Sequence, residues 1–123
     1  MYARAASSYR RVDLESAPKA EIMMRLFARC LDDIARARTA IAARDVAGKA
    51  KLLDHAIAIV VELRASLDHK AAPDLAARLD SLYVYVQDRL TVANVALDPK
   101  PLDIATRIMS ELSDAFATAR TSP

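Results

Sequence analysis

Two histidines, one cysteine and 16 acidic side chains are the groups from which this 123-residue sequence would build metal, phosphate or nucleophilic chemistry. A di-iron site in a helical bundle needs inward carboxylates and Glu-x-x-His pairs. His55 follows Asp54 and His69 follows Asp68, but the residues three places earlier are Leu52 and Ser66. That spacing makes no metal site, and no cofactor is expected. Phosphotransfer from an exposed helical His is the second chemistry, and His55 points away from the apolar line of its segment. The residues after it, Ala56-Ile57-Ala58-Ile59, do not match the Lys-Gly that follows the reactive His of phosphotransfer bundles. His69 is placed to interact with a helix C-terminus and with Asp68. Cys30 falls on an apolar stripe, where a thiol packs as a small hydrophobe. Gly48 is the single glycine, so no glycine-rich phosphate loop exists. Nothing here points to catalysis.

The elements that position these residues follow from composition. Hydrophobic residues make up 54% of the chain and aromatics only 5%, because 26 positions are alanine. One glycine leaves few sites for the positive φ of tight hairpins, and Ala, Leu and Arg favour helix. An all-α domain is expected, and 123 residues suit one core. Eighteen basic and 16 acidic residues are spread evenly, and Arg10-Arg11 is too short a doublet to argue contact with nucleic acid. The lone Cys30 excludes an internal disulfide and suits a reducing compartment. The longest apolar run, Ala56 to Val61, is far short of the ~20 residues of a membrane span. Met1 to Val12 carries Arg4, Arg10 and Arg11 without an acid, like a transit peptide, but lacks an apolar face.

Four helices are expected. The first runs from about Ala17 to Ala43, with Ser16 as N-cap, Pro18 in the first turn, and Met23, Phe27, Cys30, Ile34, Ala37 and Ile41 in one stripe. Asp45 offers a cap for a second, roughly Val46 to Lys70, with Leu53, Ala56, Val60, Leu63 and Leu67 inward. Pro73 begins the third, with Leu75, Leu79, Leu82, Val86, Leu90, Ala93 and Leu97 as its stripe. Pro99 and Pro101 break the chain before a fourth built on Ala105, Ile108, Leu112, Phe116 and Ala119, ending in a frayed tail. Rods of about 20 to 25 residues on short connections form an antiparallel four-helix bundle. Residues 1–15 are expected as a loosely held N-terminal arm outside the bundle of residues 16–123.

The apolar residues exceed what a bundle core needs. On the second helix Leu52 and Ile59 fall about 80 to 100° to one side of Val60, and Val61 about 100° to the other, with Ile57 on the same broad arc. On the third, Val84 and Val95 oppose the Leu82–Val86 line, and Val92 lies on its flank. Tyr83 and Tyr85 occupy opposite shoulders, where each ring would be buried and each hydroxyl wet. Met24 and Leu31 lie off the first helix's stripe. These are either scattered surface hydrophobes, which are ordinary, or the walls of grooves for a partner's amphipathic helices.

Several short strings, in order, resemble the flagellar secretion chaperones of the FliS family. They are Met1-Tyr2 with Tyr9 and Val12, Ser16-Ala17-Pro18, the Met23–Phe27 segment, Arg44-Asp45-Val46-Ala47-Gly48-Lys49 and Arg64-Ala65-Ser66-Leu67-Asp68. Most telling is Leu82-Tyr83-Val84-Tyr85-Val86, followed by Arg89-Leu90 and Ala93-Asn94; Glu111-Leu112 before Phe116 resembles the closing motif. Ala28-Arg29 stands where the family usually has an acid-Gly pair, Val86 where it has Met, Asp88 where Arg is common and Phe116 where it has Trp.

The resemblance implies a cytoplasmic, non-enzymatic bundle, a monomer or weak homodimer without membrane insertion. Its client would be the C-terminal segment of flagellin, held against premature polymerisation and passed to flagellar type III export, with the export gate as a further contact. Tyr9 and Val12 would sit on an arm that the client displaces. The client would contact Met24, Leu31, Leu52, Ile57, Ile59, Val61, Tyr83, Val84, Tyr85, Val92 and Val95. Two alternatives remain on the residues alone. One is a histidine phosphotransfer bundle using His55; the other is a generic helical adaptor whose outer apolar faces join two copies.

Overall fold

A computed structural model of the chain describes residues 17–121. Four helices account for it: α1 (Ala17–Ala42), α2 (Val46–Ala65), α3 (Pro73–Ala96) and α4 (Lys100–Thr121). No strand occurs among the described residues. Each helix packs on its chain neighbour, and α4 closes the ring on α1. Contacts at opposite ends give the directions. Phe27 meets Phe116 while Arg38 pairs with Asp103, so α1 and α4 run oppositely. Lys49 reaches Asn94 while Arg64 reaches Asp80, which reverses α3 against α2. The expected arm, with Tyr9, Val12 and the Ser16 cap, lies outside the described residues.

The core follows alternating steps of three and four on every helix. Buried on α1 are Met23, Phe27, Cys30, Ile34 and Ala37; on α4, Leu102, Ala105, Met109, Leu112 and Phe116. The Phe27 and Phe116 rings lie 6.1 Å apart and tilted by 39°, a favourable arrangement for aromatic quadrupoles.

On α3 the buried line is Ala76, Leu79, Tyr83, Val86, Leu90 and Ala93. It is rotated from the Leu75–Leu82–Leu97 expectation. Leu75 and Leu82 are half-buried, and Leu97 is exposed. A Tyr83 ring turned inward removes more apolar surface from water than a leucine would. The small Ala76 and Ala93 let α3 approach its neighbours on either side of that ring.

The turns explain the helix ends. The carboxylate of Asp45 accepts from the Gly48 amide at 2.9 Å and caps α2 as expected. At the other end α2 stops at Ala65, five residues before the expected Lys70. There the Asp68 carboxylate accepts from the Lys70 and Ala71 amides at 3.1 and 2.9 Å. That local turn replaces the next helical hydrogen bonds. Helices α1 and α3 both end with a non-glycine residue in the left-handed conformation, Arg44 (φ 58°) and Leu97 (φ 53°). Asp45 N donates to Ala40 O, and Asp98 N to Ala93 O, closing each end. Among the described residues no helix is long and apolar enough to cross a membrane.

Candidate functional site: the outward apolar surface

Cys30 and His55, two of the groups considered for chemistry, are engaged structurally. Cys30 is buried with its Sγ 3.8 Å from Ala56 O. Burial, reinforced by the nearby Asp33 carboxylate, pushes its thiol up to about 12, so it stays protonated and unreactive at neutral pH. His55 is half in solvent, and its Nδ1 meets the carboxylate of Asp33, a residue only 2% exposed. The imidazole therefore closes over a buried acid on α1. Among the described residues no three His, Cys, Asp or Glu side chains come together to hold a metal.

The apolar candidates divide into three groups. Val61, Val84, Tyr85 and Val95 stand in solvent, at 46%, 45%, 44% and 80% exposure. Met24, Leu31, Leu52, Ile57 and Val92 are half-buried. Ile59 and Tyr83 are sealed, at 5% and 0%, which corrects their placement on the outside. A wheel centred on Val60 puts Ile59 on a solvent flank, but α1 covers that side of α2. Tyr83 belongs to the α3 core line, and burial alone holds its phenol well above the ordinary range.

Two of the exposed valines, Val61 and Val84, flank one polar joint. Arg64 of α2 donates to both oxygens of Asp80 at 2.7 and 3.2 Å, and to Gln87 Oε1 at 3.1 Å. Val61 lies one turn before Arg64, and Val84 lies one turn after Asp80 and one before Gln87. On helical spacing both valines therefore flank the guanidinium along the α2–α3 seam. Val95, three turns beyond Val84, continues that face of α3. Tyr85 and Val92, seven residues apart, share the other shoulder. The Arg89 guanidinium lies 5.4 Å from the Tyr85 ring centre and is itself held by Asp88 at 2.7 Å. The ring is thus steadied from above while remaining accessible. Leu52 stands two turns before Ile59, on the α1 side of α2, apart from Val61. Met24 and Leu31 stand fourteen and seven residues before Arg38, which pairs with Asp103 of α4, so the candidates lie on several faces of the bundle rather than in a single patch.

Sequence reasoning missed several residues. Ile22, Val46 and Leu97 are also exposed, at 54%, 54% and 48%. Ile22 joins Leu26, Ala58 and Ile59 in an open groove of about 830 Å³ between α1 and α2, rimmed by Arg25 and Arg29. A smaller pocket of about 370 Å³ lies at the turn end, with Lys49, 5% exposed, in its lining. The signal for Lys49 was present: the α2 stripe Leu53–Ala56–Val60–Leu63, extended back by four, lands on it.

The family model described as flagellar protein FliS matches residues 1–123. The chain is 31% identical to the flagellar secretion chaperone FliSB of Pseudomonas aeruginosa, over 94% of this chain and 96% of that one. It is 30% identical to the flagellar secretion chaperone FliS of Escherichia coli, over 100% of this chain and 95% of the relative. With the Vibrio cholerae flagellar secretion chaperone FliS it shares 27% identity, over 89% and 83% of the two chains.

Proposed function

Because the chain belongs to the FliS family of flagellar secretion chaperones, we propose that it binds the C-terminal segment of flagellin in the cytoplasm, before flagellar type III export. The observation that carries this reading is the pair Val61 and Val84, each nearly half exposed beside the Arg64 fork, on a bundle whose core is already filled. Exposed apolar side chains along a helix seam are the complement of an amphipathic helix. With Val95, Tyr85 and Val92, and with Leu52 and Ile57 on α2, they suit a segment that wraps the bundle and becomes helical on contact.

The energetics suit such a client. A segment burying ~1,500 Å² of apolar surface gains roughly 35 kcal/mol gross at ~25 cal/mol per Å². Most of that is offset by ordering the segment and by lost translational freedom, leaving ordinary affinity. While held, the segment's own apolar faces are unavailable for premature polymerisation. Tyr9 and Val12 would supply an arm that competes for the same surface. Tyr83 acts through the core rather than by contact, and Ile59 forms part of the floor of the groove between α1 and α2.

Circular dichroism of the chain mixed with a flagellin C-terminal peptide tests the reading. Helicity above the sum of the separate spectra is expected, and removal of residues 1–12 should alter affinity while leaving thermal stability nearly unchanged. Spectra that simply add, with no complex by sedimentation, would refute the flagellin assignment.

A further inference from the structure

We propose that the pocket at the α1–α2 turn captures a peptide's terminal carboxylate together with an apolar side chain beside it, and that its occupant is the extreme C-terminus of the exported client. The second half of this statement rests on the function proposed above; the first half stands on the pocket alone. The pocket encloses about 370 Å³ and is walled by Ile41, Val46 and Leu97, the last two of which stand half in solvent at its mouth. That volume suits one residue-sized group.

Lys49 supplies the charge. The residue is 5% exposed, and its ammonium donates to the Asn94 carbonyl at 2.9 Å. An ammonium has three N–H donors, and a carbonyl is neutral. Among the described residues no carboxylate lies within ion-pair distance of this one. Asp45, the acid in the lining, has its carboxylate on the Gly48 amide. Arg44 adds a second cation to the lining and makes no ion pair among the described residues. A largely desolvated ammonium without a counter-ion favours an anion that can accept two hydrogen bonds. An internal Asp or Glu carries a peptide unit on each side, and both would have to be set against the apolar walls. A chain terminus instead carries its carboxylate next to a side chain that those walls can cover.

The full chain with labelled methyl groups is titrated with N-acetyl-leucine and, separately, with N-acetyl-leucinamide, which lacks the charge. Saturable shifts at Ile41, Val46 and Leu97 are expected for the acid and not for the amide, and they should vanish in Lys49→Met. Equal response to both compounds, or none to either, overturns the pocket assignment even if Lys49→Met proves unstable. The flagellin C-terminal peptide is then compared with its amidated form, which should bind about tenfold more weakly. Equal affinity of the two forms overturns the client's terminus as occupant and leaves the surface reading intact. Failure of both peptides while N-acetyl-leucine still binds would refute the flagellin reading and keep the pocket.

Discussion

Arg64 grips Asp80 through two hydrogen bonds across the α2–α3 seam, and the two charged side chains tie together the helices that carry Val61 and Val84. The Arg64 hydrogen bonds hold the Asp80 carboxyl below the usual carboxylate range, against an opposing effect of burial, with Arg64 and His69 charges adding to the lowering.

A folded-state value below the unfolded one contributes stability above about pH 4, lost as pH falls through the folded value. Asp80→Asn should therefore lower the melting temperature modestly at pH 7, since both side chains are about one-third exposed. The difference from wild type should close progressively below about pH 4. Thermal melts between pH 7 and pH 2 check this; a gap that widens with acid would contradict it.

Asp45 and Gly48 form a coupled pair. A Cβ added at Gly48 would lie 2.2 Å from Asp45 Oδ2, so Gly48→Ala must push the capping carboxylate away. Loss of such a cap costs about 1 kcal/mol, and Ala in place of Gly in a helix gains a similar amount. Gly48→Ala alone should be nearly neutral, whereas in an Asp45→Ala background it should stabilise by about 1 kcal/mol. Urea denaturation of the four proteins in the cycle measures the coupling. Simple additivity would show that the cap is not formed in solution.

Much of this architecture is legible in the sequence. The three-four stripe of α1, the Asp45 cap and the Pro73 start are local signals, and local physics decides them. The outward positions of Val61, Val84 and Val95 also follow from spacing, because among the described residues no helix packs over those faces. What spacing does not carry is which neighbour covers which flank. Ile59 is apolar on either reading, and only α1's approach buries it. Tyr83 and Leu82 compete for the same core position, and the ring wins by packing, which no single-helix wheel contains. Lys49 lies on the stripe, but its charge argues against a buried place until Asn94's carbonyl is seen beside it. The early end of α2 reflects the Asp68 side chain outcompeting helical hydrogen bonds.

Tyr83 and Tyr85 should separate stability from binding. Tyr83→Ala removes a fully buried ring and should cost about 3 to 5 kcal/mol. Tyr85→Ala removes a 44% exposed ring and an arginine contact, worth about 1 kcal/mol or less in stability. Chemical denaturation gives both values, and peptide affinity should fall for Tyr85→Ala at unchanged fold. Comparable destabilisation by the two would contradict the core line drawn for α3.

Isothermal titration of the chain with the flagellin C-terminal peptide, at several temperatures and alongside Val61→Glu and Val84→Glu, addresses the central claim most directly. Wild type should bind with a negative heat-capacity change from apolar burial. Each glutamate should weaken binding at least about tenfold, as expected for a charge set into an apolar contact, with helicity unchanged. Wild-type affinity retained in both variants, or no binding by wild type, would contradict the account.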